Sequence, residues 1–171
     1  MYKRQVLLPY GSRYDLSDDA LIKALYVASG FGAVIAQRAS ISGAEAGCQA
    51  EIGTAAAMAA AALVYLHGGS AVQMANAAAM ALKNMMGLVC DPVAGLVEVP
   101  CIKRNAAGAM NALCAAEMAL AGIESRIPPD EVIDTMAAVG AALPSSLRET
   151  GMGGIAASPT AVKFREEFFG Q

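Results

Sequence analysis

Glu45, Cys48 and Glu51 stand at i, i+3 and i+6 in the segment Ser42-Gly43-Ala44-Glu45-Ala46-Gly47-Cys48-Gln49-Ala50-Glu51-Ile52-Gly53. Two carboxylates, a thiol and an amide thus fall in a stretch otherwise built of Ala and Gly. An apolar helix has little reason to carry them unless a polar group binds there. The bland reading is also open: the glutamates face solvent and the cysteine fills a core.

A second unusual stretch is Cys90-Asp91-Pro92-Val93-Ala94-Gly95-Leu96-Val97-Glu98-Val99-Pro100-Cys101-Ile102-Lys103-Arg104-Asn105. Two cysteines bracket a loop whose prolines and glycine fix the backbone path. Asp91 and Glu98 add carboxylates. Lys103, Arg104 and Asn105 lie where a helix begins, a place that suits an anion such as a substrate carboxylate.

The three cysteines follow the spacing C-x41-C-x10-C. Three thiolates without a nearby fourth suggest a [4Fe–4S] cluster with one iron left open. Zinc is the competitor, but structural zinc prefers four protein ligands and short paired spacings. His67 could complete a Cys3His set, although a histidine at a helix end is more often a cap. Cys114 lies mid-helix among Ala and Leu and reads as a core residue. The methionines on the Ala-rich helices read as packing between close backbones.

The elements that must position these groups are helical. Ser17, followed by Asp18 and Asp19, caps a helix running to about Gln37. Ser42 and Glu45 form a capping-box pattern for a second helix carrying Cys48 and ending at Leu66. Ser70 caps a third, ending near Gly87. After the irregular loop 88–103, a helix covers 105–120 and another runs from Pro128-Pro129 to Leu143. The Gly-rich stretch 149–159 reads as loop, and a short helix over 160–169 closes the chain. No useful β-alternation appears. The expectation is all-α: a compact bundle of five or six Ala-rich helices with one irregular Cys/Pro/Gly loop.

Composition sets the outer bounds. Hydrophobic residues make up 56% of the 171 and charged residues 16%, which excludes disorder and points to dense burial. The formal charge of -3 leaves no basic surface for nucleic acid. Residues 52–82 carry no Asp, Glu, Lys or Arg, but the run is mostly Ala and His67-Gly68-Gly69 interrupts it. We read it as a buried helix and not a membrane span. No apolar signal segment follows Lys3-Arg4, and cysteines without a disulfide pattern fit a cytoplasmic protein. Tyr2-Lys3-Arg4-Gln5 is what a common sequencing adapter encodes when read through in frame. Residues 1–5 are therefore expected to be non-native, with 6–171 a single helical domain truncated at its N-terminal side.

The two cysteine-bearing segments resemble the cluster signatures of iron–sulfur-dependent L-serine dehydratases. Arg104-Asn105-Ala106 follows the second segment as in that family. Arg148-Glu149-Thr150-Gly151-Met152-Gly153-Gly154 and Ser158-Pro159-Thr160 are similar to its C-terminal signature. The likeness runs from about Ser17 to Gly170.

The resemblance implies a [4Fe–4S] cluster on Cys48, Cys90 and Cys101, and a reaction from L-serine to pyruvate and ammonia without pyridoxal phosphate. It implies an α domain completed by a β subunit or a fused β domain, in an oligomer. A Gly-Leu-Thr-Gly-Gly-like stretch and a Ser-Ser-His-Thr-type segment of the family are absent here, so the isolated chain is expected to be inactive. Glu45, Glu51, Asp91 and Glu98 are candidates for the base by residue type. Lys103, Arg104 and Asn105 are candidates for the substrate carboxylate. Two other readings stay open, a related lyase such as a cysteine desulfidase and a non-catalytic helical domain with core cysteines.

Overall fold

A computed structural model describes residues 2–170, with side chains from residue 6. Met1 and the side chains of residues 2–5, within the stretch read as non-native, lie outside the described residues. The chain order is α1 (Tyr2–Arg13), α2 (Asp18–Arg38), α3 (Gly43–Ala46), α4 (Thr54–Leu66), α5 (Ala71–Asn84), α6 (Cys101–Leu120), α7 (Pro129–Ala142) and α8 (Pro159–Phe169). No strand occurs among the described residues; one isolated parallel bridge joins Cys90 to Arg148. The all-α expectation holds.

Helix α4 is the axis of the bundle. Ala57, Ala60, Ala61, Ala62 and Val64 on it are fully buried, and α1, α2, α5 and α6 all pack against it. Methyl side chains let helix axes approach closely, which is why a charge-free alanine run can serve as a core. Larger side chains from the surrounding helices, among them Leu7, Ile35, Leu82, Val132 and Met136, fill the remaining space. The window Gln49–Leu66 is apolar and long enough to cross a membrane, but 78% of it is buried inside the fold. Helix α2 passes the same length and composition test with only 22% buried.

The caps explain most helix starts. Ser17 Oγ accepts the Ala20 amide at 3.3 Å. Ser70 and Gln73 complete a reciprocal capping box. Arg38 at the end of α2 clamps α7, donating from Nη2 to Asp134 at 2.7 Å and from Nη1 to Asp130 at 3.3 Å.

Four expectations need correction. The helix over residues 2–13 had no cap or clear periodicity to announce it, and Pro9 sits inside it. The proposed single helix from Ser42 to Leu66 is broken. Ser42 makes no side-chain cap, and the Glu45 carboxylate accepts from Ser40 Oγ instead. Gly47 then leaves helical geometry at φ 78°, ψ 173°, and residues Gln49–Gly53 form a wider π-turn before α4. These two differences raise the count from six to eight helices among the described residues. Helix α6 begins at Cys101 and not at 105, because Pro100 accepts the Arg104 amide and starts the ladder earlier. Finally, Cys114 is exposed on α6 and not part of the core.

Candidate metal centre

The break at Gly47 is what delivers Cys48. The backbone there occupies a region open in practice only to glycine. A Cβ at this position would stand 2.7 Å from the Leu88 carbonyl oxygen and 2.8 Å from Leu143 Cδ1. The next residues are held by Gln49, which is completely buried yet fully used. Its Nε2 donates to the carbonyls of Ala46 at 3.0 Å and Met136 at 3.2 Å, and its Oε1 accepts the Gly87 amide at 2.8 Å. A buried amide satisfied from three sides anchors the turn that carries Cys48.

Cys90 is held from the other end of the chain. Its amide donates to the Leu147 carbonyl at 2.9 Å, and its carbonyl accepts the Glu149 amide at 2.7 Å. Val93 donates to Val99 at 2.9 Å, closing the intervening loop so that Cys101 arrives as the first residue of α6.

Cys48, Cys90 and Cys101 thereby wall one cavity of about 230 Å³, with Glu51 and Glu149 on its rim and Pro92 and Val97 among its apolar walls. About 10–15 Å³ holds one water, so the space suits a group of several atoms. Among the described residues no three His, Cys, Asp or Glu side chains converge on a point as a single-ion site requires. A cluster spreads its thiolates around a larger body, each on a different iron. Three soft sulfur donors around a multi-atom space therefore fit a cluster better than zinc. His67 takes no part: it sits at the far end of α4, with Nδ1 against the Leu63 carbonyl at 2.9 Å and Nε2 against Tyr10 Oη at 2.7 Å.

The electrostatics follow from crowding. The Cys90 thiol hydrogen-bonds the Cys48 sulfur, which lowers the Cys48 pKa, with Arg104 helping and burial and Glu51 opposing. The same bond, together with burial, pushes Cys90 far above the usual thiol range. Burial also raises Cys101. Without metal, crowding and burial oppose ionisation of Cys90 and Cys101. Bound iron supplies the positive charge that would let all three ionise.

A model of the serine dehydratase alpha chain matches residues 5–156. The chain belongs to that family. It is 60% identical over 152 residues to "Probable L-serine dehydratase, alpha chain" of Bacillus subtilis (strain 168), covering 89% of this chain and 51% of that protein. The corresponding protein of Latilactobacillus sakei is 58% identical over 156 residues, covering 91% and 75%. "L-serine dehydratase" of Mycobacterium bovis is 51% identical over 140 residues, covering 81% and 30%. The chain spans about half the length of the first of these relatives and under a third of the last.

In this serine dehydratase alpha-type chain the other expected site residues fall in different places. Glu51 lines the cavity. Glu45 is exposed and bonded to Ser40, and Glu98 is exposed on the loop. Asp91 is buried and directed away from the cavity, pairing with Arg104 Nη1 and accepting the Ile155 amide at 2.6 Å. Arg104 is thus engaged through Nη1 with Asp91 and the Val89 carbonyl. Lys103 is exposed, and Asn105 turns toward Ile52 and Gly108, where its Oδ1 is buried without a partner.

Glu149 was not singled out from sequence. Its signal was its place in the Gly-rich C-terminal signature, and its backbone at φ 67° is strained for a non-glycine residue.

Proposed function

We propose that this chain is the cluster-binding part of an L-serine dehydratase, with Cys48, Cys90 and Cys101 as the protein ligands of a [4Fe–4S] cluster. The observation that supports it most is the meeting of three thiols, distant in sequence, around one multi-atom cavity in a serine dehydratase alpha-type chain. The reaction removes the α-proton and the β-hydroxyl of L-serine as water. The aminoacrylate so formed tautomerises to an imine, and water hydrolyses it to pyruvate and ammonia.

When bound, the cluster supplies a Lewis acid at its one iron without a protein ligand. The chain's own residues do the rest. Glu51 and Glu149 are the carboxylates at the cavity, and their position there supports one of them as acceptor of the α-proton. Pro92, Val97 and Ile52 give the cavity apolar walls that limit water around the reacting atoms. Relatives named alpha chains imply a β partner, and the longer L-serine dehydratases imply that the same function can reside in one chain. We place the protein in the cytoplasm, where its thiols stay reduced.

The test is anaerobic reconstitution with iron and sulfide. A charge-transfer band with about four irons per chain is expected, and C48S, C90S and C101S should each lose it while C114S keeps it. An undiminished cluster in any of the first three would overturn that ligand. Pyruvate formation from L-serine after addition of a β partner tests the reaction itself.

A further inference from the structure

Asp91 is the buried acidic residue that the proposed chemistry leaves unused. Its side chain is 3% exposed, against 21% for its partner Arg104. The two lie in different ligand segments. Asp91 follows Cys90 directly, and Arg104 stands one helical turn after Cys101 on α6. Arg104 Nη1 also donates to the Val89 carbonyl at 3.0 Å, on the other side of Cys90. Its positive charge also draws the Cys48 pKa down. The second carboxylate oxygen of Asp91 accepts the Ile155 amide at 2.6 Å. Gly154 makes that approach possible: a Cβ there would stand 2.2 Å from the Asp91 carboxylate.

The hydrogen bonds of this pair therefore run to the segment around Cys90, to each other across the Cys90 and Cys101 segments, or to the C-terminal loop behind them. None of them faces the cavity, whose lining includes neither residue. A buried ion pair is a weak source of net stability, and in some proteins such a pair serves to fix one geometry.

We propose that the Asp91–Arg104 pair is a strut that sets the relative positions of Cys90 and Cys101 before any metal arrives, so that this side of the cavity is preformed. This rests on the reading of the three cysteines as cluster ligands. Asp91 and Arg104 are then positioning residues, acting on the cluster through its ligands. Outer partners of metal ligands have this effect elsewhere in proteins.

The experiment uses the full chain in two states. In the metal-free state, amide hydrogen exchange is followed at Arg104 and Ile155 in the unaltered chain, D91N and R104Q. D91N and R104Q should speed exchange at these amides by about tenfold or more, while the amides of α4 keep their protection. In the iron–sulfide-loaded state, loss of the cluster to a chelator should be about 10- to 100-fold faster in both variants. R104K keeps the charge with a single donor group and should lie between R104Q and the unaltered chain; it also serves if R104Q does not fold. Unchanged exchange at Arg104 and Ile155 in D91N overturns the strut, whatever the cluster does. Equal cluster loss in all four proteins overturns it too. Protected amides in an unaltered chain that takes up no iron would instead sink the ligand assignment, because the exchange data alone report on the strut.

Discussion

The carbonyl oxygen of Cys90 accepts the backbone amide of Glu149 at 2.7 Å, so a proposed ligand and a cavity carboxylate are fixed to each other through the main chain. Glu149 and Glu51 are the two carboxylates that line the cavity, and the proposed function assigns proton transfer to one of them. In the enzyme completed by its β partner, one of E149Q and E51Q should lower kcat by about 10²- to 10⁴-fold with iron content unchanged. Full turnover in both variants would place the base outside this chain.

Gly47 should not tolerate a side chain. Its backbone region alone costs a non-glycine residue about 1–3 kcal/mol, and the Leu88 carbonyl leaves a Cβ no room. G47A should lower the melting temperature by at least about 2–4 °C for each kcal/mol lost. Because Cys48 is the next residue, G47A should also reduce cluster yield. A variant with unaltered melting and yield would show that the break in the helix is not needed to place the thiol.

Gln49 should be sensitive to a change that conserves its size. Q49L keeps the volume but leaves the Ala46 and Met136 carbonyls without their donor in a buried site. An unmet buried polar group costs about 1–3 kcal/mol. Chemical denaturation should report that loss with little change in the slope of the transition. An effect near zero would mean that water replaces the glutamine amide.

Cys114 gives a contrast among the thiols. It is the exposed one of the four cysteines, while Cys48 and Cys90 are buried. In the folded metal-free chain, a disulfide reagent should titrate one thiol quickly and the rest slowly, and C114S should abolish the fast phase. A fast phase that survives C114S would show that the cavity thiols are open to reagents.

The Arg38 clamp carries a pH signature. The hydrogen bond from Arg38 holds the Asp134 carboxyl below its ordinary value of 3.8. A carboxyl with a depressed folded pKa adds stability above its ordinary value and loses it as the pH falls through the folded one. The melting-temperature gap between the unaltered chain and D134N should be small at neutral pH, as both groups are solvated, and should close in acid. A gap that widens in acid would contradict the pairing.

Much of the scaffold could be read from caps. Ser17 and Ser70 begin helices where their types and neighbours predict, and Pro129 stands in the first turn of α7. The three cysteines could be grouped by their spacing together with the resemblance of their two segments, and all three line one cavity. Other features depend on contacts that sequence does not display. Ser42 and Glu45 have the local signature of a capping box, but Ser40 competes for the carboxylate and Gly47 ends the helix within a turn. Cys114 and the alanines around it look alike on paper, and only the packing of α6 decides which face is wet. Asp91 and Arg104 resembled a base and an anion site because both are charged and near cysteines. Their pairing engages the one with the other, and no local pattern encodes it.

The anchoring of Cys90 by Leu147 and Glu149, and of Asp91 by Ile155, sets an order of events during synthesis. The thiol-bearing segments leave the ribosome well before the residues that brace them. A nascent chain that stops short of Leu147 carries all three thiols but not the braced cavity. Iron and sulfide delivered to it would meet flexible cysteines, each able to bind or oxidise by itself. The cavity is therefore braced only once the chain has been made as far as Ile155.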